Sequence, residues 1–130
     1  MREIKFRGRR KNSTEWVYGA FLAIPRLCSY IYDVQPDGQA TRYLVDEDAV
    51  GQFTGLCDCK GQDIYEGDVV AFGDFFREHD VKNAYWHGVV KWSFEGARFV
   101  LDKLEFDEDV CNDELLVIGN VYDNPELIKK

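Results

Sequence analysis

The side chains that could do chemistry in this chain are four cysteines, two histidines and an abundance of carboxylates. Cys57 and Cys59 flank a single residue, Asp58, whereas closed zinc sites favour two to four intervening residues. His79, His87 and Cys111 complete such a set only if three separate loops converge, so the spacing argues against a metal centre. Nucleophilic catalysis would need Cys57 or Cys59 within hydrogen-bond reach of His79 or His87, and no motif places them so. His87, beside Trp86 in a strand-like run, reads as a packing residue, and His79, in a charged segment, as an exposed one. Carboxylates adjoin at Asp46/Glu47/Asp48, Glu66/Asp68 and Asp107/Glu108/Asp109. Glycosidase chemistry would require two of them held ~5–9.5 Å apart in a cleft. With 24 acids in 130 residues, however, adjacent pairs arise by chance. Gly55 and Gly61 match no phosphate-loop spacing. The expectation is therefore no catalytic residue, no metal and no cofactor.

Charge is the next constraint. The net value of −8 argues against a general affinity for nucleic acid, because phosphate contacts need clustered Lys and Arg. Aromatic residues beside cations (Trp92 by Lys91, Phe99 by Arg98, Phe6 between Lys5 and Arg7) would suit a stacking platform for a single strand. The same alternation also describes any strand with one buried face. The charge is uneven. Residues 1–12 carry Arg2, Lys5, Arg7, Arg9, Arg10 and Lys11 against Glu3, whereas residues 102–114 carry seven acids against Lys103. Two solvated surfaces that attract each other, within the fold or between subunits, are the simplest meaning of that pattern.

The elements that must carry these residues are strands. Hydrophobic content is 45% and aromatic content 15%, a composition suited to pleated, half-buried surfaces. Glu3–Arg7 alternates charged and apolar residues with the strand period of two. Trp16–Ile24 is a second strand, with Gly19 marking a bulge or a close backbone approach, and Pro25 ends it. Ser29–Val34 closes at the Pro36-Asp37-Gly38 turn, and Thr41–Val45 follows. Asp46-Glu47-Asp48 reads as the boundary between an N-terminal β layer, 1–48, and a barrel-like part, 49–130, of one domain. In the second part, Gln52-Phe53-Thr54-Gly55-Leu56 leads into a polar hairpin loop turned by Gly61. Glu66-Gly67-Asp68 then makes a sharp corner before the apolar Val69-Val70. Trp86–Trp92, Ala97–Leu101 and Leu115–Tyr122 are further strands. Asn124-Pro125 starts a short C-terminal helical turn. The fold class is mostly β, a small SH3-like barrel with an N-terminal antiparallel layer packed on it.

Three blocks together resemble the YopX family, found largely in bacteriophages and prophages. They are Met1–Arg7, then Gln52–Leu56 through Gly61 to Ile64–Val70, and finally Val117–Leu127 with Gly119 and Asn120 at its centre. Cys57 and Cys59 stand where such proteins commonly carry polar or charged residues. The resemblance implies a mostly β fold with a barrel-like C-terminal part, and a homo-oligomer. It implies no established activity, and it supplies no catalytic residues to carry over.

The functional expectation is a non-enzymatic phage- or prophage-encoded accessory protein that acts by binding a host or phage protein and by self-association. Its candidate surfaces are the basic strand (Arg2, Lys5, Arg7, Arg9, Arg10) and the acidic run (Asp107, Glu108, Asp109). Two alternatives are an acidic decoy that occupies a host nucleic-acid-binding protein, and a small barrel that itself binds nucleic acid. The first residues form a strand pattern without an apolar signal region, and no apolar run reaches ~18 residues. The expected location is the bacterial host's cytoplasm, without a membrane partner.

Overall fold

The computed structural model describes residues 4–75, 80–93, 98–101, 104–105 and 112–128. Its chain divides into two units, Met1–Phe53 and Thr54–Lys130. The first unit is built from β1 (Phe6–Arg10), β2 (Trp16–Ile24), β3 (Cys28–Val34) and the first part of a long strand, β4 (Ala40–Cys57). All neighbours are antiparallel. The early residues of β4 pair with β3, Thr41 opposite Asp33, and its later residues pair with β1, Gln52 opposite Phe6. Val45 stands at the changeover, opposite both Ser29 and Arg10.

Alternation along these strands sorts their side chains. Val17, Ile31 and Val45 form a buried cluster on one face, with Phe6, Phe21, Tyr43 and Val50 packed against it. The Gly19 signal has a specific cause. A Cβ there would stand 2.0 Å from the carbonyl oxygen of Tyr32, so only glycine lets β2 and β3 approach as they do. The Pro36-Asp37-Gly38 turn forms as its residues dictate. Gly38 has φ of 90°, and Asp37 Oδ1 accepts from the Gln39 amide at 2.9 Å.

The second unit holds β5 (Asp63–Tyr65), β6 (Asp68–Gly73), β7 (Ala84–Ser93), β8 (Arg98–Leu101), β9 (Leu104–Glu105) and β10 (Leu115–Asn120). The pairing order is β10-β6-β7-β8-β9, and β5 pairs with β4. Ile64, Val70, Val90, Phe99, Leu101 and Leu115 make its larger core. A second cluster joins Ala71 and Leu116 to Phe75, which is fully buried just beyond β6. Val81–Asn83, Asn112–Glu114 and Pro125–Ile128 are 3-10 turns. The last is the expected terminal turn.

The mostly β class holds, with the described pairing forming two antiparallel sheets. Two local expectations change. The first strand starts at Phe6 rather than Glu3, and Ile4 is exposed. The acidic Asp46-Glu47-Asp48 lies inside continuous β4, where Glu47 and Asp48 face solvent and Ala49 turns inward. Exposed strand positions tolerate charge, so an acidic triplet need not break a strand.

Candidate functional site

The segment from Gln52 to Val70 is a set of backbone corners. Phe53 is buried, and the Lys5 ammonium lies 4.6 Å from its ring centroid. Thr54, also buried, donates its hydroxyl to the Ile64 carbonyl at 2.8 Å and accepts from the Leu56 amide at 3.2 Å. Gly55, Gly61 and Gly67 have φ of 89°, 81° and 92°. Those values lie in the left-handed region that costs other L-residues roughly 1–2 kcal/mol. At Gly67 a Cβ would also press to 3.0 Å from the Tyr122 ring. Glu66 shares that turn. Asp68, 2% exposed, accepts from the Tyr65 amide at 2.8 Å and so ties the corner shut.

Asp58 is the residue that sequence reasoning passed over. It is 2% exposed at the tip of the hairpin. Its Oδ1 accepts from the amides of Lys60 and Gln62, both at 2.9 Å, and its Oδ2 accepts from the Val117 amide at 3.0 Å. The Cys59 amide donates to the Leu115 carbonyl at 2.9 Å beside it. One carboxylate thus both shapes its own loop and docks that loop on β10. An Asx signal was present at Asp58, but Val117 is 59 residues away and nothing local names it.

The C-terminal motif is explained in the same way. Asn120 Oδ1 accepts from the amides of Tyr122 and Asp123 at 3.0 and 2.8 Å, while its amide nitrogen donates to Asp123 at 3.2 Å. Asn124 Oδ1 reaches back to accept from the Asn120 amide at 3.2 Å. Gly119 leaves room for this turn. A Cβ there would stand 2.5 Å from Asn124 Oδ1 and 2.8 Å from a Leu127 methyl.

The candidate nucleophiles and ligands are spread among structural tasks. The Cys57 thiol approaches Asp63 Oδ1 at 3.5 Å. Burial, reinforced by the Asp58 charge, pushes the Cys59 thiol up from its ordinary value, which favours the unreactive protonated form. His87 Nε2 lies 2.9 Å from the Leu127 carbonyl, an acceptor only, so that nitrogen carries the proton and donates. His79 and Cys111 lie outside the described residues. Among the described residues, no three His, Cys, Asp or Glu side chains gather as a metal site.

The basic strand is anchored on aromatic rings. Arg7 is 6% exposed with its guanidinium 4.7 Å from the Trp16 ring centroid. Arg10 stands 5.1 Å from Tyr43 and pairs with Glu15 at 3.2 Å, and Arg9 is half-buried. Cations over rings at such distances contribute about 0.5–2 kcal/mol, more where water is excluded, so these side chains brace the unit itself. Arg2, Asp107, Glu108 and Asp109 lie outside the described residues, and Asp113 is exposed. Two rings of the imagined stacking platform are used in packing. Phe99 is buried with Trp92 edge-on at 5.0 Å, and Phe6 meets Phe21 at 5.4 Å.

Part of the surface open to a partner is apolar. In the first unit Leu22 and Leu44 are 46% and 42% exposed, on the opposite face of the sheet from the Val17–Ile31–Val45 cluster. Cys28 hydrogen-bonds Tyr30 between them and raises the phenol's pKa above its ordinary value. An open depression of about 270 Å³ is lined by Lys11, Arg26, Cys28, Leu44, Asp46 and Asp48, among others.

The fold and its corners define a small all-β protein whose characteristic glycine, Asx and threonine positions set backbone geometry. Comparison with known families gives the same answer in a name. Residues 5–129 match the family described as YopX protein, and the chain belongs to the YopX family. No curated protein matches it. Among solved structures it resembles the crystal structure of protein EF1440 from Enterococcus faecalis. The TM-score is 0.61 at 21% identity, over 99% of this chain and 100% of that one, a likeness of fold. No helix among the described residues is long and apolar enough to cross a membrane.

Proposed function

We propose that this YopX-family chain is a non-enzymatic accessory protein, encoded by a phage or prophage, that works in the bacterial cytoplasm by binding and by self-association. The observation that carries the reading is the outer face of the first unit's sheet, where exposed Leu22 and Leu44 flank half-buried Tyr30. Leucines scattered singly on a surface are ordinary, but a contiguous apolar row marks a contact site. The polar residues that could have suggested chemistry support the same reading, since Asp58, Asp68, Asn120 and His87 are occupied with backbone groups. In this reading the sheet of the second unit is SH3-like, a scaffold for surfaces rather than for a reaction.

Electrostatics directs where copies meet. Residues 1–53 hold eight basic and seven acidic side chains, net +1, and residues 54–130 hold eight and seventeen, net −9, which together give −8. Two second units repel each other, so contact between copies favours the first unit. Sedimentation velocity of the full chain at low and high salt tests the proposal. A mass that rises with concentration is expected, and a monomer at every concentration and ionic strength overturns it.

A further inference from the structure

An aromatic cluster stands open at one end of the second unit's sheet, and a β-bulge builds it. Phe72 of β6 pairs with Trp86 of β7, but the next pair is Gly73 with Ala84, which leaves Tyr85 as an extra residue on β7. A regular ladder would set Tyr85 opposite Gly73 and turn its ring to the other face of the sheet. The bulge instead brings two consecutive aromatics to one ring. Phe72 stacks on Trp86 at 5.5 Å and 29° between ring planes, and it meets Tyr85 at 6.3 Å. Bulges re-aim side chains in this way and are enriched beside functional sites. Phe72 is half-buried against the larger core, whereas Tyr85 is 71% and Trp86 38% exposed. Burial accounts for Phe72, but the Tyr85 ring gains little from the fold where it stands.

Elsewhere the chain shows what its rings attract. In the first unit the guanidinium groups of Arg7, Arg10 and Arg42 lie 4.7, 5.1 and 4.6 Å from the ring centroids of Trp16, Tyr43 and Tyr30. Among the described residues no cation lies over Tyr85 or Trp86. Their surroundings are acidic. Leu115 pairs with Phe72, so β6 ends, and β7 and β10 begin, at this end of the sheet. The segments that leave it carry exposed Asp74, Asp80 and Asp113 against exposed Lys82, in a unit of net charge −9.

We infer that this cluster docks an arginine-bearing segment of a partner protein, a contact separate from self-association through the first unit. A guanidinium is planar and weakly hydrated, so it stacks on Tyr85 and Trp86 while nearby carboxylates attract its charge. A lysine ammonium is compact and strongly hydrated, and gains less from the rings. Single-stranded nucleic acid would use the same rings, but its phosphates would enter a field of their own sign.

Isothermal titration of the full chain with hexa-arginine and hexa-lysine peptides tests the inference. It is run at about 0.15 M salt, where exposed charges more than ~8 Å apart are largely screened. Hexa-arginine is expected to bind at least about fivefold more tightly than hexa-lysine, because the two peptides differ in stacking and not in charge. Tyr85→Ser, at an exposed position, is expected to abolish that preference with an unchanged thermal midpoint. Trp86→Leu, which keeps an apolar contact for Phe72, is the second probe and is expected to act in the same direction. Equal affinity for the two peptides means general charge attraction and overturns the inference. So does an absence of hexa-arginine binding, or a preference that survives both variants. An oligothymidylate that binds through Tyr85 overturns it as well, in favour of nucleic acid. Each of these failures leaves self-association standing, since the first unit carries that contact.

Discussion

Replacing Asp58 is expected to loosen the second unit more than any other single exposed-loop substitution. Asp58→Ala removes three backbone hydrogen bonds to one buried carboxylate. Bonds to a charged acceptor contribute roughly 1.5–3 kcal/mol each, but the loss is smaller where water can replace the acceptor. Lys60 and Gln62 lie in exposed backbone, so their amides recover most of their solvation. The Val117 amide belongs to half-buried β10 and recovers less. Relief of the carboxylate's own burial offsets part of the loss. Together these give a destabilisation of about 3 kcal/mol, a large part of the 5–15 kcal/mol typical of a domain. Asp58→Asn keeps one acceptor oxygen for the loop amides but turns an NH2 group towards the Val117 amide, and about 2 kcal/mol is expected. Urea unfolding followed by tryptophan fluorescence measures both. With a slope of ~1.5 kcal/mol per molar, the Asp58→Ala midpoint falls by about 2 M. A midpoint within about 0.3 M of the parent would refute the role of Asp58 as the clasp between hairpin and β10.

The remaining predictions separate crowding from backbone strain and reactivity from mere presence. Gly119→Ala drives a methyl into Asn124 and Leu127, so it is expected to cost about 1–3 kcal/mol and to release the terminal turn. Exchange of the Asn124 and Leu127 amides would rise with it, and unchanged exchange would count against the packing. Gly61→Ala meets open space at φ of 81°, so only the conformational cost of about 1–2 kcal/mol is expected in the same urea assay. Gly19→Ala, whose methyl would fall on the Tyr32 carbonyl, is expected to exceed it and to break the β2–β3 ladder. Equal effects would mean that only φ matters. The raised pKa of Cys59 predicts slower alkylation at pH 8 in the folded chain than in urea, read by peptide mass spectrometry. Equal rates would contradict its burial.

Local signals were the legible ones. Trp16–Ile24 emerges with the bounds its composition suggests, and Gly38, Gly61 and Gly67 take the positive φ that their turns require. These features depend on neighbours within a few residues. Long-range partners were hidden. Asp58 binds across 59 residues, and the need for glycine at 119 arises only once Asn124 and Leu127 fold back on it. The basic strand looked like a surface because charge is visible in sequence while the ring beneath it is not. Arg7 and Trp16 meet only after β1 pairs with β2, as diagonal neighbours two register positions apart.

The most direct test of the account is the solution mass of the full chain, by light scattering, over a concentration series at two ionic strengths. The mass is expected to climb above the 15.1 kDa of one chain as concentration rises. A mass fixed at one chain throughout would contradict it.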